Sequence, residues 1–299
     1  MVRLRRRATA PDAGADAATS VQTLAVLLQA GAVPLTAWRH LAGSGDAHAV
    51  RVVERADGGM PLPAAIAAEG GGWVDLAAAW EVATTVGAPL AEVLRTIAGS
   101  LRDAASAADE VRVALAEPAG TARLLLWMPL AGLLLGVALG FDTVGAITRS
   151  PPGAVCVVLG LLLVLVARAW TKRLLERARP EPGTPGIDAE LVAVALAGGT
   201  SIDRALRLVA EASSAPPGAR ERVHQVLDLS RSAGVPAVEL LRASAAQERQ
   251  RARVDGRLRA ATLSTRLLIP LGVCTLPAFL LLGVAPLLLS VLASTPLPV

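Results

Sequence analysis

The sequence predicts an all-α membrane protein with two related cytoplasmic helical bundles and three transmembrane helices. Three observations predict it. A nine-residue pattern occurs twice, as Gly87-Ala-Pro89-Leu-Ala-Glu92-Val-Leu-Arg95 and as Gly234-Val-Pro236-Ala-Val-Glu239-Leu-Leu-Arg242. Each copy is followed by a helical stretch and then by an apolar span free of charge. Aromatic residues make up only 2% of a chain that is 53% hydrophobic. A core of Ala, Leu and Val favours close-packed helices over sheets.

The repeated pattern has the chemistry of a helix-to-helix corner. Glycine takes the left-handed residue that ends one helix. Proline opens the next, where its missing N–H costs nothing. Glu92 and Glu239 then fall in a first turn, where a carboxylate meets the positive end of the helix dipole. Simple helix-start stabilisation accounts for these residues; contact with a partner through Glu92, Arg95, Glu239 and Arg242 is the alternative. A second pair of corners precedes the first. Gly31 to Pro34 corresponds to Gly198 to Ser201, at an offset of 167 (201 − 34), whereas Gly87 and Gly234 differ by 147 (234 − 87). The chain therefore reads as two copies of one unit, the second shorter by about one helical hairpin.

In chain order, residues 1–19 read as a disordered basic arm carrying Arg3, Arg5, Arg6 and Arg7. Residues 20–121 read as the first bundle, with Ser20 as a helix cap and breakers at Asp57-Gly58-Gly59 and Gly70-Gly71-Gly72. Charges recur throughout it, so none of it crosses a bilayer. Residues 122–142 form the first span and 152–170 the second, joined by a short extracytoplasmic loop at 143–151. Each holds 18 uncharged residues, between Arg123 and Asp142 and between Arg149 and Arg168, against about 17 needed at minimum. A Pro-rich linker follows at 171–187, then the shorter bundle at 188–265. The third span, 266–293, carries Pro270 and Pro277, as the first carries Pro129, and 294–299 is an extracytoplasmic tail. Proline is tolerated in a membrane helix when neighbours satisfy the freed carbonyls.

The net charge is +4, and Lys172 is the lone lysine among 29 basic residues. Those residues crowd beside the apolar spans. Arg168, Lys172, Arg173, Arg177 and Arg179 follow the second span, and Arg249, Arg251, Arg253, Arg257, Arg259 and Arg266 precede the third. This places the N-terminus and both bundles in the cytoplasm and the C-terminus outside. It points to lipid headgroups or an acidic partner and not to nucleic acid.

The chemistry of an enzyme is missing. There is no phosphate-binding loop, no Gly-x-Ser-x-Gly elbow and no metal-ligand spacing. His40, His48 and His224 are scattered in polar segments and read as solvated surface residues. Cys156 and Cys274 lie in apolar spans, so neither a disulfide nor a zinc site is expected. No catalytic, cofactor-binding or metal residue is assigned. The spans hold no ionisable residue, which disfavours an ion pathway. Trp127 and Trp170 sit where membrane interfaces are expected.

These residues resemble the F-domain family of type II secretion and type IV pilus systems, and most closely the inner-membrane platform proteins of its tight-adherence (Tad) branch. The doubled corners, Arg123-Leu-Leu-Leu-Trp127-Met-Pro129-Leu leading to Gly140-Phe141-Asp142, and Arg266-Leu-Leu-Ile-Pro270-Leu with Leu276-Pro277-Ala-Phe279 carry the resemblance over about residues 20–293. It implies a non-enzymatic platform protein, multi-pass in the cell membrane and oligomeric. Its implied partners are a cytoplasmic secretion or pilus ATPase, a prepilin, a paralogous platform protein and the bilayer. A membrane subunit of a transporter and a membrane-anchored scaffold are the alternative readings.

Overall fold

The structure is a computed structural model describing residues 10–138, 151–178, 183–213 and 217–285. Every regular element among them is a helix. The order is α1 (Ala10–Gln29), α2 (Pro34–Gly43), α3 (Ala47–Asp57), α4 (Leu62–Ala67), α5 (Gly72–Val86), α6 (Leu90–Ala138), α7 (Pro151–Ala178), α8 (Ile187–Ala197), α9 (Ile202–Ala212), α10 (Pro217–Ala233) and α11 (Ala237–Pro270). Beyond α11, wider π-type turns at Leu271–Thr275 and Leu280–Val284 flank α12 (Leu276–Phe279).

Two compact units result. The first takes residues up to Asp109 and residues 183–255; the second takes Glu110 to Ala178 and residues from Gly256 on. Helices α6 and α11 contribute residues to both.

The first unit holds a single hydrophobic core. Val21, Leu24 and Ala25 of α1, Trp38 of α2, Val52 of α3, Ile66 of α4 and Leu76 of α5 join Leu94 and Ile97 of α6 in it. So do Leu191 and Ala193 of α8, Val209 of α9, Leu227 of α10 and Leu241 of α11. The segments expected as two separate bundles therefore share one core. The reason is visible in α5, whose Trp73, Leu76, Ala77, Ala78, Ala79, Trp80, Val82 and Ala83 are all buried. A helix apolar on every side needs cover on every side. Helices α1 and α4 supply it on one flank, α8 and α9 on the other.

Helix α1 begins at Ala10, well before Ser20. Alanine-rich sequence propagates the helix upstream, and Ala17 and Ala18 are buried in the core. Ser20 is thus not a cap. It is buried in mid-helix, and its hydroxyl donates to the Asp46 carboxylate that caps α3.

The second unit has its own small core, Val111, Ala260, Leu263 and Leu267, with Leu174 and Leu175 against it. Gly256 lies under Val111, and the Arg257 guanidinium pairs with Glu110 at 2.8 Å. Gly160 of α7 lies against Leu282, where a Cβ would stand 2.6 Å from Leu282 Cγ.

Two described helices are long and apolar enough to cross a membrane, Ala154–Glu176 and Ala237–Leu282. In the first, only 17% of the apolar window is buried. Val155, Val158, Leu159, Leu161, Leu162 and Leu165 are exposed, a surface compatible with lipid and costly in water. The span expected at 122–142 ends outside the described residues; within it α6 runs through Pro129. Pro270 is buried and Pro277 half-buried. Pro277 offers no N–H to Val273 and its ring crowds that carbonyl, and the turn widens there to the π form. Cys156 and Cys274 are both free.

Candidate functional site

The residues that the sequence singles out gather at helix corners. Gly31, Gly87 and Gly234 have φ of +91°, +72° and +68°, the left-handed region that side chains avoid. Gly198 does not share it: its φ is −73°, and the left-handed residue is its neighbour Gly199 at +84°. The hydrogen bonds fix the register. Gly31 N–H donates to Leu28 and Ala32 N–H to Leu27; Gly199 N–H donates to Leu196 and Thr200 N–H to Ala195. The corners therefore match at 168 (199 − 31), one residue beyond the sequence pairing, with Val33 opposite Ser201 as the residue before each helix. The other pair matches at 147: Ala88 N–H donates to Ala83, and Val235 N–H donates to Ser230. Pro89 and Pro236 each offer a carbonyl to the first turn that follows.

Three of these corners are tied together. The Arg95 guanidinium donates to the side-chain carbonyl of Gln29, just before Gly31. Gly198 packs onto Val86, just before Gly87. At the fourth, Arg242 pairs with Glu239 at 3.6 Å, with both side chains exposed, a contact that contributes little stability. Glu92 is exposed in the first turn of α6. Val33 and Val235 are exposed at their corner tips. Val33, Val235, Glu92 and Arg242 are thus all exposed at these corners. Among the described residues, no group of three His, Cys, Asp or Glu could hold a metal ion.

The sequence reading missed a polar network between α3 and the turn after α4. Glu69, its side chain 2% exposed, faces Arg51, Arg55 Nη1 at 2.6 Å and His48 Nδ1 at 2.5 Å. Burial pushes its carboxyl up, but hydrogen bonds from Arg51, Arg55 and His48 outweigh this and hold it down at about 2. His48 is not a solvated surface residue, for its ring stacks on Trp73 with centroids 5.1 Å apart. His40 is exposed as expected, and His224 is exposed at the rim of a cavity. The Arg-x-x-x-Arg spacing of Arg51 and Arg55 on one helix face was the signal available.

Three further carboxylates lie around α8, Asp188 and Glu190 buried and Asp75 half-buried. Asp188 accepts from Ser213 Oγ at 2.7 Å, Glu190 lies 3.6 Å from Arg249, and Asp75 accepts from Thr184 N–H at 3.0 Å. Burial raises all three carboxyls above their ordinary range, and these partners offset only part of it.

The described architecture is thus an all-helical chain with helices compatible with membrane insertion and an exposed corner surface. Within it, residues 20–138 match the family model described as type II secretion system (T2SS), protein F. The match runs from Ser20 to the last described residue of α6. No curated protein and no solved structure matches the chain.

Proposed function

We propose that this chain is a non-enzymatic inner-membrane platform protein of a secretion or pilus assembly machine. It couples a cytoplasmic hexameric ATPase to extraction of pilin subunits from the membrane. The observation that carries the reading is the family match itself, which takes in α1 to α6 as one stretch. The Tad branch is the finer assignment, supported by the order of the corner and proline motifs along the sequence.

The second helical set is a shortened copy of the first. Matching corner hydrogen bonds support this, with α8, α9, α10 and α11 in the places of α1, α2, α5 and α6. Each copy sends a long helix towards an apolar span, a layout suited to carrying mechanical motion from an ATPase to the membrane. The arginines that flank the spans set the N-terminus and the helical sets on the cytoplasmic side and the C-terminus outside. A prepilin and a second platform protein are the other partners, within an oligomer.

Affinity purification of the tagged full chain in mild detergent, followed by mass spectrometry, tests the reading. A secretion-type ATPase and a prepilin are expected in the eluate. Substrate-binding and permease subunits in their place would overturn it in favour of a transporter.

A further inference from the structure

Among the described residues, α3 and α4 cover the first helical set and no helix takes their place on the second. In the first set α3 packs on α2 and α4 on α5. Beneath them the Trp38 ring lies 6.0 Å from Trp73 and 6.2 Å from Trp80, and His48 of α3 closes over Trp73. The same register puts Leu206 at the place of Trp38 (206 − 168), Arg220 at that of Trp73 and Leu227 at that of Trp80 (220 − 147, 227 − 147). Three indoles are thus lost together with the helices that covered them.

A cavity remains there. It has a volume of about 220 Å³ and is walled by Val192, Leu206, Val209 and Val223, with Asp188, Arg220 and His224 among its polar lining. Asp188 is already satisfied by Ser213. Arg220 is exposed, and its guanidinium reaches the Ala210 carbonyl at a long 3.4 Å. The walls are therefore apolar and the open charge at the mouth is positive.

We propose that this face of the second set is a docking groove for an amphipathic helical hairpin of a partner protein. The hairpin lies where α3 and α4 lie on the first set, puts one large aromatic side chain into the cavity and brings a carboxylate to Arg220. The first set supplies the template. There α3 buries Ala49 and Val52, α4 buries Ala65 and Ile66, and Glu69 stands beside the His48 that covers Trp73. Among the described residues the chain's own hairpin is engaged on the first set, and the occupant is a segment of another molecule. Apolar anchors in a preformed pocket, with a charged pair at the rim, are the usual anatomy of a helix-in-groove interface. The inference rests on the repeat relation proposed above as well as on packing, and not on the secretion reading, so it and the secretion reading can fail separately.

The probe is a labelled peptide of residues 47–69 carrying His48→Trp, titrated into the purified full chain in detergent and followed by fluorescence anisotropy. A dissociation constant of about 10–100 µM is expected for such a surrogate, with weaker binding of the unsubstituted peptide. Leu206→Trp fills the cavity from within and should weaken binding at least about tenfold, the loss typical of blocking an anchor pocket. Arg220→Glu should weaken it more at low salt than at high salt. Circular dichroism and the melting temperature report whether each variant folds, and either variant suffices as the test. Absence of binding, or equal binding to the wild type and a folded variant, overturns the proposal.

Discussion

Gly198 and Val86 are in direct contact: a Cβ built on Gly198 would stand 2.6 Å from Val86 Cγ2 and 3.1 Å from Val86 Cβ. The contact joins the corner between α8 and α9 to the end of α5. It explains why glycine is needed at a position whose φ of −73° any residue could adopt. The requirement is steric, set by a neighbour and not by the backbone.

Gly198→Ala should therefore destabilise the protein by about 1–3 kcal/mol through overpacking. Val86→Ala alone removes half-buried methyls and also destabilises. The double variant should be more stable than the sum of the two losses, with a coupling of about 1 kcal/mol or more. Melting temperatures of the four proteins in detergent check this; strict additivity would show that the two residues do not touch.

A different outcome is expected one residue on. Gly199 has open space around its Cα but a φ of +84°. Gly199→Ala should cost about 1–2 kcal/mol of left-handed strain, and no change at Val86 should rescue it. Equal rescue of both alanine variants by Val86→Ala would refute the division of roles between these two glycines.

Glu69 makes stability depend on acid. Its ordinary value is 4.5 and its folded value about 2. The folded state thus binds fewer protons than the unfolded state between those values. The stabilisation is complete above about pH 4.5 and is lost as pH falls towards 2. The shift corresponds to roughly 3 kcal/mol. Glu69→Gln should lose about that much at neutral pH, and the gap from wild type should close on acidification. Urea unfolding at a series of pH values measures the gap, and one that stayed constant with pH would remove Glu69 from the argument.

The corners and helix starts were legible because each is written locally. Gly87-x-Pro89 and Gly234-x-Pro236 announce a left-handed stop and a proline start within three residues. The apolar stretch behind Ala154–Glu176 was legible for the same reason. The register at Gly198 was not, because Gly198 and Gly199 look alike in sequence and only hydrogen bonds to Leu196 and Ala195 tell them apart. Nor was the shared core, since cover for α5 comes from α8 and α9, more than 100 residues away (187 − 86 = 101). Ser20 was misread because a serine before an apolar run has the same local pattern whether it caps a helix or lies buried inside one. Its role depends on Asp46, which lies 26 residues on.

That serine has a mirror image. Ser20 donates to Asp46, and at the matching place on α8 (188 − 168) Asp188 accepts from Ser213. Donor and acceptor have changed places, but the carboxylates do not have the same surroundings. Asp188 is only 5% exposed, and burial raises its carboxyl above the ordinary value of 3.8 while the Ser213 hydroxyl pulls it partly back. A raised folded value means that the folded state holds more protons than the unfolded state. Stability from this group is therefore greatest at low pH and falls as pH rises from about 3.8 through the raised folded value. Asp188→Asn keeps an oxygen for Ser213 and removes the buried charge. It should raise the melting temperature at neutral pH, and its advantage over wild type should disappear below about pH 4, where Asp188 is protonated in both states. Ser213→Ala removes the donor from a buried carboxylate and should cost about 1–3 kcal/mol at neutral pH, with a smaller loss in acid. An Asp188→Asn protein that melted lower than wild type at neutral pH would show that the ionised carboxylate stabilises this face.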